Sequence, residues 1–169
     1  MNQQQETFPS PLDVVSLATA KAHLKVEHSV DDALVTTYIG VAYNAVEAYT
    51  NTHLAETQVS HYFDHLFEFT NIHVGPQSSV NRDTGKGVSY INAEGVKTFL
   101  DPTDYEFDGT SYPARLRLIN EPTDVKDTLK AWKVDTKSGY TATSRPDALV
   151  AAMLLVIGHL YENRQDVTP

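Results

Sequence analysis

Three groups of side chains in this chain have types and spacings that could do chemistry. They are His61, Asp64 and His65; the glycine-flanked lysine of Asp83-Thr-Gly-Lys-Gly-Val88; and the arginines Arg115 and Arg117. Two imidazoles at i and i+4 can grip a metal ion when a helix carries both to one face. Gln58-Val-Ser-His-Tyr-Phe63, however, mixes aromatic and β-branched residues in near alternation, which reads as a strand, so the helical geometry fails. No His-Glu-x-x-His motif occurs and the other histidines are scattered, so no metal site is assigned, and exposed strand or turn histidines are the better reading. A phosphate-binding loop needs G-x-x-x-x-G-K-[ST] between a strand and a helix. Here glycines flank Lys86 directly and a strand follows, which reads as a turn. Arg115 and Arg117 alternate with Leu116 and Leu118, so both arginines share one face of a strand. That face is either solvated or a row of salt bridges to a neighbouring subunit.

No catalytic constellation stands out. The chain has no cysteine, which removes thiol catalysis and Cys-based zinc sites, and no G-x-S-x-G elbow. Asp31 and Asp32 sit at a helix start, where capping explains them. No cofactor is expected. With 22 acidic against 13 basic residues the net charge is −9, and no basic block is present, so gripping a phosphate backbone is disfavoured. Lying near DNA without holding it remains compatible with an acidic wall. The polar N-terminus has neither a basic cluster nor an apolar stretch, so no secretory signal is predicted.

The elements that would position these residues follow from periodicity. Leu17, Ala20 and Leu24 mark a first helix, with Ser16 as its N-cap. Leu34, Tyr38, Val41, Ala45, Val46 and Tyr49 mark a second over about 31–50, with Ser29 and Asp32 as a capping box and Asn51 closing it. Strands are predicted at 58–63, 66–74, 87–91, 96–100, 105–107, 114–118 and 129–134, with polar loops at 76–87 and 120–128. The fold class is therefore α+β: a small three-helix core with a β-rich insert of about eighty residues. The expected division is a flexible arm at 1–13, a helical core at 14–54 plus 141–163, the insert at 55–140 and a tail at 164–169.

The last helix is the least ordinary element. From Ala148 to Gly158 it has no polar side chain, so every face is apolar, and such helices are surrounded by protein or lipid. The run is shorter than the ~18–20 residues that span a bilayer, which favours protein and argues against a membrane role. Ser144 is available as a cap, Pro146 fits an early helical position and Asp147 suits the positive end of the helix dipole. Leu149, Ala152, Leu155 and Val156 are expected in the core of this helix. His159 within it reads as a satisfied core or interface residue.

Together the two ends resemble the phage head–tail connector (adaptor) family. The N-terminal resemblance is carried by Val15-Ser-Leu-Ala-Thr-Ala-Lys-Ala-His-Leu-Lys-Val26, Asp31-Asp-Ala-Leu34 and Ala45-Val-Glu-Ala-Tyr-Thr50. The C-terminal one is carried by Arg145-Pro-Asp147 and the run ending in Tyr161-Glu-Asn-Arg164. Asp104-Tyr105, Pro113-Ala-Arg-Leu116 and Gly139-Tyr140 are similar to the longer members, whereas Ala18 replaces an acidic residue common in the family. The resemblance implies a structural protein of the virion, not an enzyme, assembled in the host cytoplasm. It implies a homo-oligomeric ring, commonly of twelve subunits, under the portal protein, extending the DNA channel and docking a tail or tail-side connector protein. It also implies that the C-terminal end engages the portal, with His159, Tyr161, Glu162, Asn163, Arg164 and Gln165 as candidate interface residues.

Two readings from other classes stand beside it. One is a small ligand-binding or regulatory module, which needs a pocket with convergent polar groups. The other is a metal-dependent hydrolase using His61, Asp64 and His65.

Overall fold

The computed structural model describes residues 2–5, 9–72 and 78–164. The chain divides into two compact units, Pro9–Ala55 with Tyr140–Pro169, and Met1–Phe8 with Glu56–Gly139.

In the first unit, helix α1 spans Leu17–Leu24, α2 spans Asp32–Thr50 and α3 spans Asp147–Glu162. Ser16 caps α1 by accepting the Thr19 N–H at 3.1 Å. Lys25, in the left-handed region at φ 57°, ends it, and Val26 N–H returns to the Lys21 carbonyl. Asn51 ends α2 in the same left-handed way, as its residue type predicts. Val35, Ile39, Ala42 and Val46 recur at four, three and four residues, so α2 turns one stripe inward. That stripe meets Val15, Ala20, Leu54, Met153 and Ile157 in one core. Each fully buried Val, Ile, Leu or Met there contributes roughly 1.5–3 kcal/mol of transfer free energy.

Two expected caps are not formed. Asp31, not Ser29, is the N-cap of α2 and makes no side-chain cap bond, while Asp32 pairs with Lys21 at 2.6 Å. Ser144 Oγ accepts the Thr141 N–H within a turn, leaving Pro146 as an uncapping N-cap of α3.

Among the described residues the second unit holds nine strands, all paired antiparallel. They are β1 Asn2–Gln5, β2 Thr57–Phe63, β3 Phe69–Ile72, β4 Ser79–Val80, β5 Val88–Ile91, β6 Lys97–Phe99, β7 Tyr105–Asp108, β8 Ala114–Leu118 and β9 Trp132–Ser138. One sheet runs β1-β2-β9-β5-β6, with β4 also on β9; the other runs β3-β8-β7. Ile72, Tyr105, Leu116 and Leu118 of the smaller sheet share a core with Val88, Tyr90, Trp132 and Val134 of the larger. The Tyr90 and Trp132 rings lie 5.3 Å apart, tilted by 39°.

Three differences from the sequence expectation have physical causes. Asn2–Gln5, expected in a free arm, pairs with β2, because that outer edge has unpaired backbone groups. The final strand begins at Trp132 and not at 129: Lys130 is left-handed at φ 57° and donates its N–H to Asp64 Oδ1 at 2.7 Å. It then continues to Ser138 because β2 supplies partners along its whole length. Ser79–Val80, expected in a loop, adds a short strand to β9. The ends of the expected strand at 66–74 and of loop 76–87 fall partly on residues 73–77, outside the described residues.

Candidate interaction surface

Helix α3 is covered on one side only. Met153 and Ile157 are fully buried, and Leu149, Val150, Ala152, Leu154 and Val156 are half-buried at the edges of the core. Ala148, Ala151, Leu155, His159 and Glu162 are exposed and fall along one stripe. Leu155 was expected in the core and is instead 69% exposed, because α1 and α2 reach only the opposite face. No described helix is long and apolar enough to cross a membrane.

The end of α3 is tied to the start of α2. Tyr161 Oη donates to Asp31 Oδ2 at 2.6 Å, and Arg164 Nη2 donates to the same oxygen at 3.0 Å. Arg164 also stacks 4.1 Å from the centre of the Tyr161 ring and donates its Nε–H to the Tyr161 carbonyl. The Tyr161 hydroxyl first, and then Arg164, hold the Asp31 carboxyl below its usual range. Of the residues expected at a partner interface, Tyr161 and Arg164 are thus engaged within the chain. His159, Glu162 and Asn163 are exposed, with the Asn163 amide donating to the His159 carbonyl at 2.9 Å. Gln165 lies outside the described residues.

A second knot closes the same unit where the chain leaves and re-enters it. Arg145 Nε donates to the Leu54 carbonyl at 2.6 Å, and Leu54 N–H donates to Glu47 Oε1 at 2.7 Å. Burial pushes Glu47 up, but His53, the Leu54 N–H and the Tyr43 hydroxyl outweigh it and hold the carboxyl below its usual range. Burial, reinforced by Glu47, pushes the Tyr43 hydroxyl far up.

In the β unit the candidates separate. Arg115 pairs with Asp108 at 3.0 Å and Arg117 with Glu106 at 3.4 Å, each with its directly opposite residue on β7. The row of salt bridges exists, but its acidic partners are in the same chain. Ser111, Thr110 and Arg115 together hold Asp108 well below the usual carboxylate range. His61 is fully buried, not exposed, with Nε2 3.0 Å from Thr136 Oγ1. Asp64 is bonded to Lys130, and His65 is exposed in an open concavity of about 420 Å³ rimmed by Phe67 and Leu129. These three residues do not converge on one point. Among the described residues no group of His, Asp and Glu is placed to hold a metal ion.

The family model described as phage gp6-like head-tail connector protein matches residues 14–101, just over half of the chain. The chain belongs to that family. The matched segment takes in α1, α2 and strands β2 to β6 of the connector. Its fold matches a chain in the neck of an empty GTA particle computed with C6 symmetry, at TM-score 0.79 and 17% identity, covering 100% of the connector and 88% of that chain. It likewise matches a chain in the virion of a native gene transfer agent (GTA) particle, at TM-score 0.77 and 17% identity, with coverage of 100% and 88%. A chain in the neck of a native GTA particle computed with C12 symmetry matches at TM-score 0.76 and 18% identity, with coverage of 100% and 87%. No curated protein sequence matches it.

Sequence reading missed two features of this connector. Asp31 was assigned to capping, and nothing local links it to Tyr161 130 residues away. The other is the outward face of α2: Val41, Ala45 and Tyr49, which mark its apolar period, are exposed, and between Ala33 and Thr50 the only charged residue is Glu47.

Proposed function

We propose that this connector is a structural, non-enzymatic protein of a tailed-phage virion that assembles, without a cofactor, into a closed ring at the head–tail junction. The ring sits under the portal protein, extends the DNA channel and presents a docking surface to a tail or tail-side connector protein. The observation that carries this reading is the bare apolar stripe of α3, with Leu155 69% exposed. A single copy leaves a face uncovered that a neighbouring copy would cover, and a repeated head-to-tail contact closes into a ring when its rotation allows. Family membership supports the role, and the similar chains come from particle necks treated with C6 and C12 symmetry. A dodecamer is the expected stoichiometry. A net charge of −9 favours passage of DNA without adhesion.

The exposed end of α3 and the residues after it are the proposed portal contact, with Tyr161 and Arg164 holding that end in place through Asp31. The test is to mix purified connector with portal particles and examine them by negative-stain microscopy, beside a variant lacking residues 162–169. Wild-type protein is expected to add a uniform ring to the portal, and the truncated protein to fold but attach weakly. Wild-type connector that never associates with portal overturns the reading. Full attachment by the truncated form moves the portal contact elsewhere.

A further inference from the structure

We infer that the contact between neighbouring copies is helix on helix: the exposed α3 stripe of one copy packs against the outward face of α2 of the next. This rests on the ring reading and names the two surfaces that build it.

The outward face of α2 is unusual for a surface. Its exposed residues are Ala33, Thr36, Thr37, Val41, Asn44, Ala45, Ala48 and Tyr49, and none of them is charged. Exposed helix faces normally carry Lys, Glu, Arg and Asp. Absence of charge together with a prominent aromatic is the composition of an interface centre. Tyr49 is 92% exposed and Val41 is 46% exposed, one turn either side of Ala45. The α3 stripe shares this character over Ala148, Ala151 and Leu155, with His159 and Glu162 following at its end. Each surface therefore presents large side chains beside small ones, the relief that lets one helix seat its ridges in another's grooves.

Charge selects the occupant. Two copies that each carry −9 repel wherever their acidic surfaces meet. Association with an identical chain is least opposed through faces poor in charge: the outward face of α2 carries none, and the α3 stripe carries only Glu162, in its last turn. α2 and α3 each use their other side for the core of their own copy, so both faces remain available. A ring needs two different patches per subunit, because a head-to-tail contact joins unlike surfaces. Here the helical unit offers two.

The chain has no cysteine, which permits a direct test. Ala45→Cys and Leu155→Cys are prepared separately, each is assembled on portal alone or mixed with the other, and a short bis-maleimide is added. A covalent dimer is expected only in the mixed rings, since only there do the two thiols face each other across subunits. Ala45→Glu and Leu155→Glu are expected to melt within a few degrees of wild type yet to form no ring. Mixed rings that yield no dimer, or glutamate variants that still form rings, overturn the pairing and leave the ring reading standing. Failure of the wild-type protein to form any ring on portal overturns both.

Discussion

Asp31 stands at the N-terminus of α2, where the helix dipole alone would favour a carboxylate. Its oxygen is nevertheless given to the far end of α3, where it accepts from Tyr161 and Arg164. The role follows from reach: α2 and α3 pack together, so the start of one lies beside the end of the other. Both partners bond the ionised form, which is why the carboxyl titrates below its usual 3.8. The sign of the pH effect follows. A carboxyl whose folded value is depressed contributes stability above its unfolded value, and that contribution is lost as pH falls through the folded one. Acidification below about pH 4 should therefore loosen the end of α3 before the core responds. Amide exchange at residues 159–162, corrected for intrinsic rates, should accelerate in that range in the wild-type protein. In Asp31→Asn it should be fast already at neutral pH and change little on acidification. Unaltered protection in the variant would mean that packing alone holds this end.

At the scale of elements, what could be read from sequence and what could not divide along the range of the interactions. α1, α2 and α3 were legible as helices because their signals are local: Ser16 and Asn51 at ends, and apolar spacings of three and four between. The buried face of α2 was not legible: of Leu34, Tyr38, Val41, Ala45, Val46 and Tyr49 only Val46 is buried, and Val41, Ala45 and Tyr49 are exposed. Strands β2, β5, β7 and β8 were legible from alternation, which is also a local signal. The start of β9 was not, because Leu129-Lys-Ala has a strand-like composition and only the bond from Lys130 N–H to Asp64 shows that the chain turns there. Its polar second half was hidden too. Asp135 becomes acceptable at 2% exposure because Ser60, on β2, Lys133 and the Gly87 N–H all bond its carboxylate. Of the candidate site, the apolar helix was plain, but an apolar sequence does not reveal how much of it its own chain covers. Gly40 within α2 allows an element-scale prediction. A Cβ there would meet nothing within 4 Å, and the backbone is helical. Gly40→Ala should therefore stabilise the protein by about 0.5–1 kcal/mol, because glycine loses more backbone freedom on folding. A denaturant midpoint that falls would show that the added methyl is not accommodated in the folded chain.

At the scale of the molecule, the chain passes from its helical unit into its β unit after Ala55 and returns at Tyr140. Each unit closes its own core: the residues around Ile39 and Met153 all belong to one, and those around Leu116 and Trp132 to the other. The bond from Arg145 to the Leu54 carbonyl holds the departing and returning segments together on the helical side, and Glu47 fixes the Leu54 N–H beside it. Neither of these two bonds uses a strand residue. A chain without residues 1–8, in which a short Gly-Ser bridge replaces 56–139, would keep every core residue of α1, α2 and α3. At roughly 80 residues it would be near the lower limit of what one core stabilises. It is expected to show helical circular dichroism and a cooperative melt at a lower temperature than the full protein. If the glutamate variants of α2 and α3 act through the helices alone, this shortened chain should also retain self-association measured by sedimentation with portal present. A shortened chain that is unfolded would show that the helical core needs the β unit, and one that folds but never associates would place part of the subunit contact on the strands.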